Sequence, residues 1–325
     1  MLWQLLGGLI IILIGAELFT NGIEWLGKKL NLSQSAVGSV LAAVGTALPE
    51  SMIPVIAILF GVGEAGHHIG VGAILGAPFM LVTLGLALVG TGALVYRKRR
   101  ETGTEVAVNK GQLNRDLGFF LVFYGLAVVA AFLPGWAKYG IALVLAGGYF
   151  WYVWRTLQAD CEAIGHCPPL YLARKNPEPG KPLVILQVVL ALGVIILGAK
   201  LFVSGVEEIA VWLGLSPMLV ALILAPVATE LPEKLNSIIW MRQNKDVMAT
   251  GNMTGAMVFQ SSLLPAFGMV FTDWQLGQQG LTSIGLALVA ALVLWLVNRR
   301  RQGRIPGQLL LLFAIFYLLF VLTII

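Results

Sequence analysis

LWQLLGGLIIILIGAELFTNGIEWLGKKLNLSQSAVGSVLAAVGTALPE (residues 2–50) and ILQVVLALGVIILGAKLFVSGVEEIAVWLGLSPMLVALILAPVATELPE (residues 185–233) align without a gap and agree at about twenty positions. Chance rarely supplies that much agreement, even between two apolar stretches. The shared skeleton pairs Gly15-Ala16 with Gly198-Ala199, Leu18-Phe19 with Leu201-Phe202 and Gly22 with Gly205. It also pairs Glu24 with Glu207, Ser33 with Ser216, and Leu48-Pro49-Glu50 with Leu231-Pro232-Glu233. The chain is therefore a duplication, and each copy opens on an apolar run long enough to cross a bilayer.

The surroundings of the repeat have the same character. Of 325 residues, 58% are hydrophobic and 11% charged, which leaves too little polar surface to cover a water-soluble globule. A spanning helix needs roughly 20 mainly apolar residues, and about ten such segments can be drawn. Their cores are residues 3–25, 35–60, 68–95, 117–133, 138–155, 183–212, 216–240, 248–271, 280–297 and 307–325. Loops after the odd-numbered segments hold Lys28 and Lys29, Arg97 to Arg100 with Lys110 and Arg115, and Arg155 with Arg174, Lys175 and Lys181. Further along, the same side takes Arg242 and Lys245, then Arg299 to Arg301 and Arg304, whereas the other loops hold only Lys138. Basic loops stay on the cytoplasmic side, so both termini are expected outside the cytoplasm of a multi-pass cell inner membrane protein.

Five helices per half is an odd number, so the second half enters the membrane from the opposite side and the repeats are inverted. The expected fold class is an all-α integral membrane protein of about ten transmembrane helices in two inverted-topology five-helix repeats. Residues 1–157 form the first repeat and residues 183–325 the second. Residues 158–182, with Pro168-Pro169 and Asn176-Pro177-Glu178-Pro179-Gly180, form a cytoplasmic linker. The net charge of +5 comes in short bursts between apolar runs, which points to membrane lipid as partner and not to nucleic acid.

Chemistry is concentrated where the two copies end. Thr46-Ala47-Leu48-Pro49-Glu50 and Thr229-Glu230-Leu231-Pro232-Glu233 each set a threonine and a glutamate at i and i+4, on one helical face. The proline between them leaves the carbonyl of Gly45 or Ala228 without an intrahelical donor, which frees backbone oxygen at membrane depth. An ionised carboxylate there costs several kcal/mol unless neutralised, so two at equivalent positions call for a cation. Two glutamates with carbonyl and hydroxyl oxygens make a hard shell that suits Ca2+. Without a divalent ion, mutual repulsion and desolvation favour proton uptake, which gives a route to antiport. Glu230 has two readings: a cation ligand, or a carboxylate neutralised by Lys234 four residues on.

The paired segments Thr46 to Glu50 and Thr229 to Glu233, each followed by a glycine-spaced third helix, resemble the two alpha repeats of the sodium/calcium exchanger family, within the wider cation/Ca2+ exchanger superfamily. The resemblance covers essentially the whole chain and implies a cation antiporter working by alternating access. It makes Glu50 and Glu233 the central Ca2+ carboxylates, with Thr46 and Thr229 adding oxygens and Na+ or H+ as counter-ion. The family's third helices usually read Gly-Asn-x-x-Gly-Ser-Asn. Here the second half gives Gly251-Asn252-Met253-Thr254-Gly255-Ala256-Met257 and the first gives Gly72-Ala73-Ile74-Leu75-Gly76-Ala77-Pro78. Most of the polar groups that build the family's sodium sites are thus replaced, Pro226 stands where a small residue is usual, and Asn252 and Thr254 are the polar candidates left.

Other readings are weaker. A cation-binding homologue that does not transport would act as a sensor or scaffold. An intramembrane enzyme would need a nucleophile setting or a membrane-depth histidine that the sequence lacks, so no catalytic residue and no cofactor are expected. His67 and His68 read as a solvated pair near a helix end, and Glu17 and Lys200 as interhelix ion pairs. Gly72, Gly76, Gly251 and Gly255 have the spacing of close helix packing. Cys161 and Cys167, with His166 between them, are too few for a closed zinc site.

Overall fold

The computed structural model describes residues 2–29, 48–61, 63–157, 169–230, 237–238, 241–242, 244 and 246–323. It is built of helices: α1 (Leu2–Lys29), α2 (Leu48–Phe60), α3 (Gly63–Met80), α4 (Leu86–Val95), α5 (Lys110–Ala130) and α6 (Gly135–Leu157) in the first half. The second half supplies α7 (Lys181–Leu213), α8 (Pro217–Thr229), α9 (Asp246–Gln260), α10 (Leu263–Phe271), α11 (Gly277–Arg300), α12 (Gly307–Leu312) and α13 (Ala314–Leu322). Two three-residue strands, β1 (Glu105–Ala107) and β2 (Arg304–Pro306), pair antiparallel with Val106 opposite Ile305. α3 and α4 are joined by a π-helical stretch, Leu81–Gly85. Among the described residues, six helical stretches are long and apolar enough to span a bilayer, and two shorter apolar ones accompany them. Each of the ten segments drawn from sequence coincides at least in part with a described helix. The protein is a multi-pass, all-α membrane protein.

The chain divides into two compact units, residues 1–70 with 150–220 and residues 71–149 with 221–325, and each draws on both halves of the sequence. The first unit centres on α1 and α7, the duplicated opening helices. A Cβ on Gly8 would stand 2.6 Å from the Phe202 backbone nitrogen, and one on Gly198 would stand 2.8 Å from both the Gly8 oxygen and the Ile12 nitrogen. Gly15 faces Ile195, Gly22 faces Val188 and Gly205 faces Leu5 at similarly short range. Partners climb on one helix as they descend on the other, so α1 and α7 run antiparallel. Because they are the same helix of the two repeats, the repeats are inverted. Glycine is required at these crossings because the opposing atoms are backbone or branched side chains that cannot rotate away.

α2 packs on this pair through Met52, which adjoins the Phe19, Ala191 and Ile195 cluster. The far end of the linker also seats there. Leu170 is buried with Trp25 and Val184, and the Asn21 and Gln187 side chains bond the backbone of Pro169, Tyr171 and Leu172. The Tyr171 hydroxyl donates to the Glu17 carboxylate. Glu17 and Lys200 therefore depart from the expected ion pairs: Glu17 serves the linker, and the Lys200 ammonium lies 5.2 Å from the Phe60 ring centre. Lipid-facing apolar surface around an apolar core leaves few partners for an exposed charge, and each takes the nearest polar or π group.

In the second unit the third helix of each half is interrupted at matching positions. The offset of 179 residues that pairs Gly72 with Gly251 and Gly76 with Gly255 also pairs Thr83, inside the π stretch, with Ser262, in the turn between α9 and α10. Both hydroxyls bond carbonyls four residues back, Thr83 to Phe79 at 2.7 Å and Ser262 to Val258 at 2.6 Å, which satisfies backbone oxygens loosened by the interruption. A Cβ on Gly76 would stand 2.2 Å from the Leu222 oxygen and 2.7 Å from Pro226 Cγ, so the proline ring packs into space this glycine leaves. At the arginine-rich ends of the helices, the fully buried Arg100 guanidinium pairs with Asp246, whose Oδ2 also accepts from the Ala107 amide at 2.9 Å. Together with the β1–β2 ribbon, this ties three inter-helix loops to one another. Lys138, counted among the loop charges, is buried and donates to the Thr272 carbonyl at 2.6 Å.

Candidate functional site

The first Thr–Pro–Glu segment opens a helix. α2 begins at Leu48, so Pro49 falls at its first positions, where a missing amide hydrogen costs nothing, and Glu50 falls in the first turn. Glu50 is 3% exposed and stands in the first turn of α2, at the positive end of the helix macrodipole. The second segment closes a helix. α8 ends at Thr229, the Glu230 amide bonds the Pro226 carbonyl at 3.0 Å, and Glu230 is fully buried at the negative end of the dipole. A carboxylate in that position gains from a proton or a cation nearby. The sequence placed each motif at a helix break. The described helix α8 stops at the second motif, and the described part of the first motif lies in the first turn of α2.

Thr46, Glu233 and Lys234 lie outside the described residues, and so do Cys161, His166 and Cys167. Thr229 is the last residue of α8. Asn252 is half-buried in the second turn of α9. Thr254, the other polar candidate of that helix, is buried and given to a different partner: its hydroxyl donates to Asp116 Oδ2 at 2.8 Å. Among the described residues no three His, Cys, Asp or Glu side chains gather into a metal-holding group. His67 is half-buried and His68 exposed, in keeping with a solvated pair. Of the four packing glycines, Gly76 meets α8 as described, and a Cβ on Gly251 would stand 2.8 Å from Gln112 Nε2 on α5.

Two buried polar residues escaped the sequence reading. Asp116 lies just before the apolar run that begins at residue 117, where a charge reads as solvated, yet it has no exposed surface. Gln260 ends α9, fully buried, with neither amide atom hydrogen-bonded among the described residues. Its signal was an amide nine residues after Gly251 inside an otherwise apolar span. Such a group carries a desolvation cost unless something polar meets it.

Inverted repeats, helix ends carrying buried carboxylates and third helices interrupted at matching positions are features that multi-pass membrane transporters share. A family model described as sodium/calcium exchanger protein matches residues 1–158 and 183–323. The chain belongs to the sodium/calcium exchanger family. Relatives include an uncharacterized membrane protein of Methanocaldococcus jannaschii, 25% identical over 94% of this chain and 92% of its own length. The sodium/calcium exchanger MaX1 of Methanosarcina acetivorans is 23% identical over 97% of this chain and 96% of its own. Among solved structures, the H+/Ca2+ exchanger CAX shares the fold at a TM-score of 0.74 and 21% identity, over 99% of this chain and 81% of its own. The sodium-calcium exchanger NCX_Mj does so at 0.62 and 22%, over 99% and 97%.

Proposed function

We propose that this protein is an antiporter that exchanges Ca2+ for Na+ or H+ by alternating access at a site containing Glu50 and Glu233. Thr46, Thr229 and Asn252 would add oxygens, and Glu230 would serve either as a further ligand or as a carboxylate neutralised by Lys234. The observation that carries the reading is the burial of Glu50 in the first turn of α2, where the duplicated motif starts a helix inside an apolar chain. A buried carboxylate in a membrane span is tolerated where it meets a cation, a proton or a fixed partner, and a transported ion supplies the first two in turn. Further support comes from similar proteins, one an H+/Ca2+ exchanger and others sodium/calcium exchangers. The inner membrane, with both termini outside, is the setting that the loop charges favour.

The test uses purified protein in liposomes loaded with a calcium dye and given an outward Na+ or H+ gradient. Ca2+ uptake is expected, and Glu50→Gln and Glu233→Gln should each abolish it. Uptake that survives both substitutions defeats the proposed site, and calcium binding without any flux in the unsubstituted protein defeats antiport.

A further inference from the structure

The helix that carries Asn252 is gripped on its opposite side. α9 turns Val247, Thr250, Gly251 and Thr254 toward α5, and together with Asn109, Gln112 and Leu113 these residues line one narrow crevice. They recur at i, i+3, i+4 and i+7, a single stripe of a helix. At about 100° per residue, Asn252 lies roughly 150° around the helix from the middle of that stripe. Below the crevice, Asp116 is completely buried on α5, and its Oδ2 accepts from the Thr254 hydroxyl at 2.8 Å. Its Oδ1 lies 3.4 Å from Arg115 Nε, whose side chain remains 27% exposed. One turn earlier on α5, Gln112 presses on Gly251, where no side chain intervenes.

We propose that Asp116 is a positioning residue: its bond to Thr254 sets the rotation and depth of α9 so that Asn252 is held toward the transported cation. The role given to Asn252 rests on the function proposed above. A hydrogen bond fixes the direction of the hydroxyl, and one to a carboxylate is about twice as strong as a neutral one, so the bond to Asp116 resists turning of the helix. Arg115 lies beside the carboxyl group and can run its stem along α5 while keeping its head at the surface. Rotation matters most at α9 because Asn252 is the polar residue left at a position where the family's motif usually has more. A binding group loses its use when it turns by a few tens of degrees.

Two readouts decide the proposal. The first is the Ca2+ concentration giving half-maximal exchange in proteoliposomes, measured across a range of pH. The second, independent of transport, is the rate at which a small thiol reagent modifies Asn252→Cys in a background carrying Cys161→Ser and Cys167→Ser. Asp116→Ala should raise the half-saturating concentration about tenfold with a smaller effect on maximal rate, and should change the labelling rate. Asp116→Asn, which keeps an acceptor oxygen, should restore most of both while leaving the pH profile in place. Thr254→Val, which removes the donor at nearly constant volume, should reproduce the alanine result and stands in for it if that variant does not fold. Unchanged affinity and labelling in Asp116→Ala or Thr254→Val overturns the proposal. So does an Asp116→Asn variant as defective as alanine with a flattened pH profile, which would make Asp116 a proton carrier. If the unsubstituted protein moves no Ca2+, the antiport reading fails, and the labelling comparison still decides the tether.

Discussion

Replacing Gly8 or Gly198 by alanine should destabilise the protein, and replacing Gly7 or Gly193 in the same two helices should not. A methyl on Gly8 would meet the Phe202 nitrogen at 2.6 Å and the Gly198 oxygen at 2.8 Å, and a methyl on Gly198 would meet the Gly8 oxygen and Ile12 nitrogen at 2.8 Å. Nothing lies within 4 Å of the corresponding point on Gly7 or Gly193. Alanine in place of helical glycine gains about 0.5–1 kcal/mol of backbone entropy at any of the four sites. That gain is common to all and cancels in the comparison. What remains is overpacking, typically about 1–3 kcal/mol, and toward the upper end here because the obstructing atoms are backbone. The assay is thermal unfolding in one detergent, following retention of the monodisperse peak on size exclusion. Gly7→Ala and Gly193→Ala should melt at or slightly above the unsubstituted protein, and Gly8→Ala and Gly198→Ala several degrees below it. A Gly8→Ala variant as stable as Gly7→Ala would refute the antiparallel register of α1 and α7, and with it the structural argument for inverted repeats.

Two further outcomes follow from buried charge and from pH. Asp246→Ala would leave the Arg100 guanidinium buried without its carboxylate, at a cost of about 3–5 kcal/mol, whereas Arg100→Met with Asp246→Leu should recover much of the loss; both are read by the same melts. The Tyr171 pKa is raised by its bond to the Glu17 carboxylate first, and then by partial burial and the charge of Glu17, against a smaller lowering by Arg174. A value raised on folding means that the contact contributes fully below the unfolded tyrosine value near 10 and is lost as pH climbs through the folded one. Tyr171→Phe should therefore melt below the unsubstituted protein at neutral pH, and the gap should close above about pH 10. A gap that persists unchanged in strong base would show that the hydroxyl proton does not hold the linker.

The segments and their inversion were readable because a long apolar run bounded by lysine or arginine is an unambiguous signal, and because duplication writes it twice. Glu50 stood out as a candidate for the same reason: a single acid in an apolar run can be a local accident, but one recurring beside Pro49 and Pro232 invites attention, and the structure finds Glu50 buried. What stayed hidden depends on residues far apart in the chain. Nothing local in Arg100 announces Asp246, 146 residues on, and nothing in Val106 announces Ile305. Thr254 could be ranked as a ligand candidate only because its partner was invisible; once Asp116 takes its hydroxyl, that helix keeps Asn252 as the candidate on its other side. Asp116 itself was passed over because hydropathy marks where apolar residues stop, while burial follows from what a neighbouring helix covers.

The asymmetry between the duplicated halves carries the last step. The interruption of the third helix is a π stretch in one half and a turn in the other, each with its hydroxyl bonded to the carbonyl four residues back. The first half has the interruption but carries Ala73, Leu75, Ala77 and Pro78 at the motif positions, so its third helix offers no polar side chain from Gly72 through Pro78. Pro226 fills the space opposite Gly76 in a contact between apolar atoms and backbone. The third helix of the second half keeps polar side chains at Asn252 and Gln260, and Glu230 follows the end of α8, while the first half has Glu50 in the first turn of α2. In the site proposed above, that inequality would leave fewer neutral oxygens to share among several sodium ions. The site would depend more on its carboxylates, whose charge a single divalent ion or protons can balance.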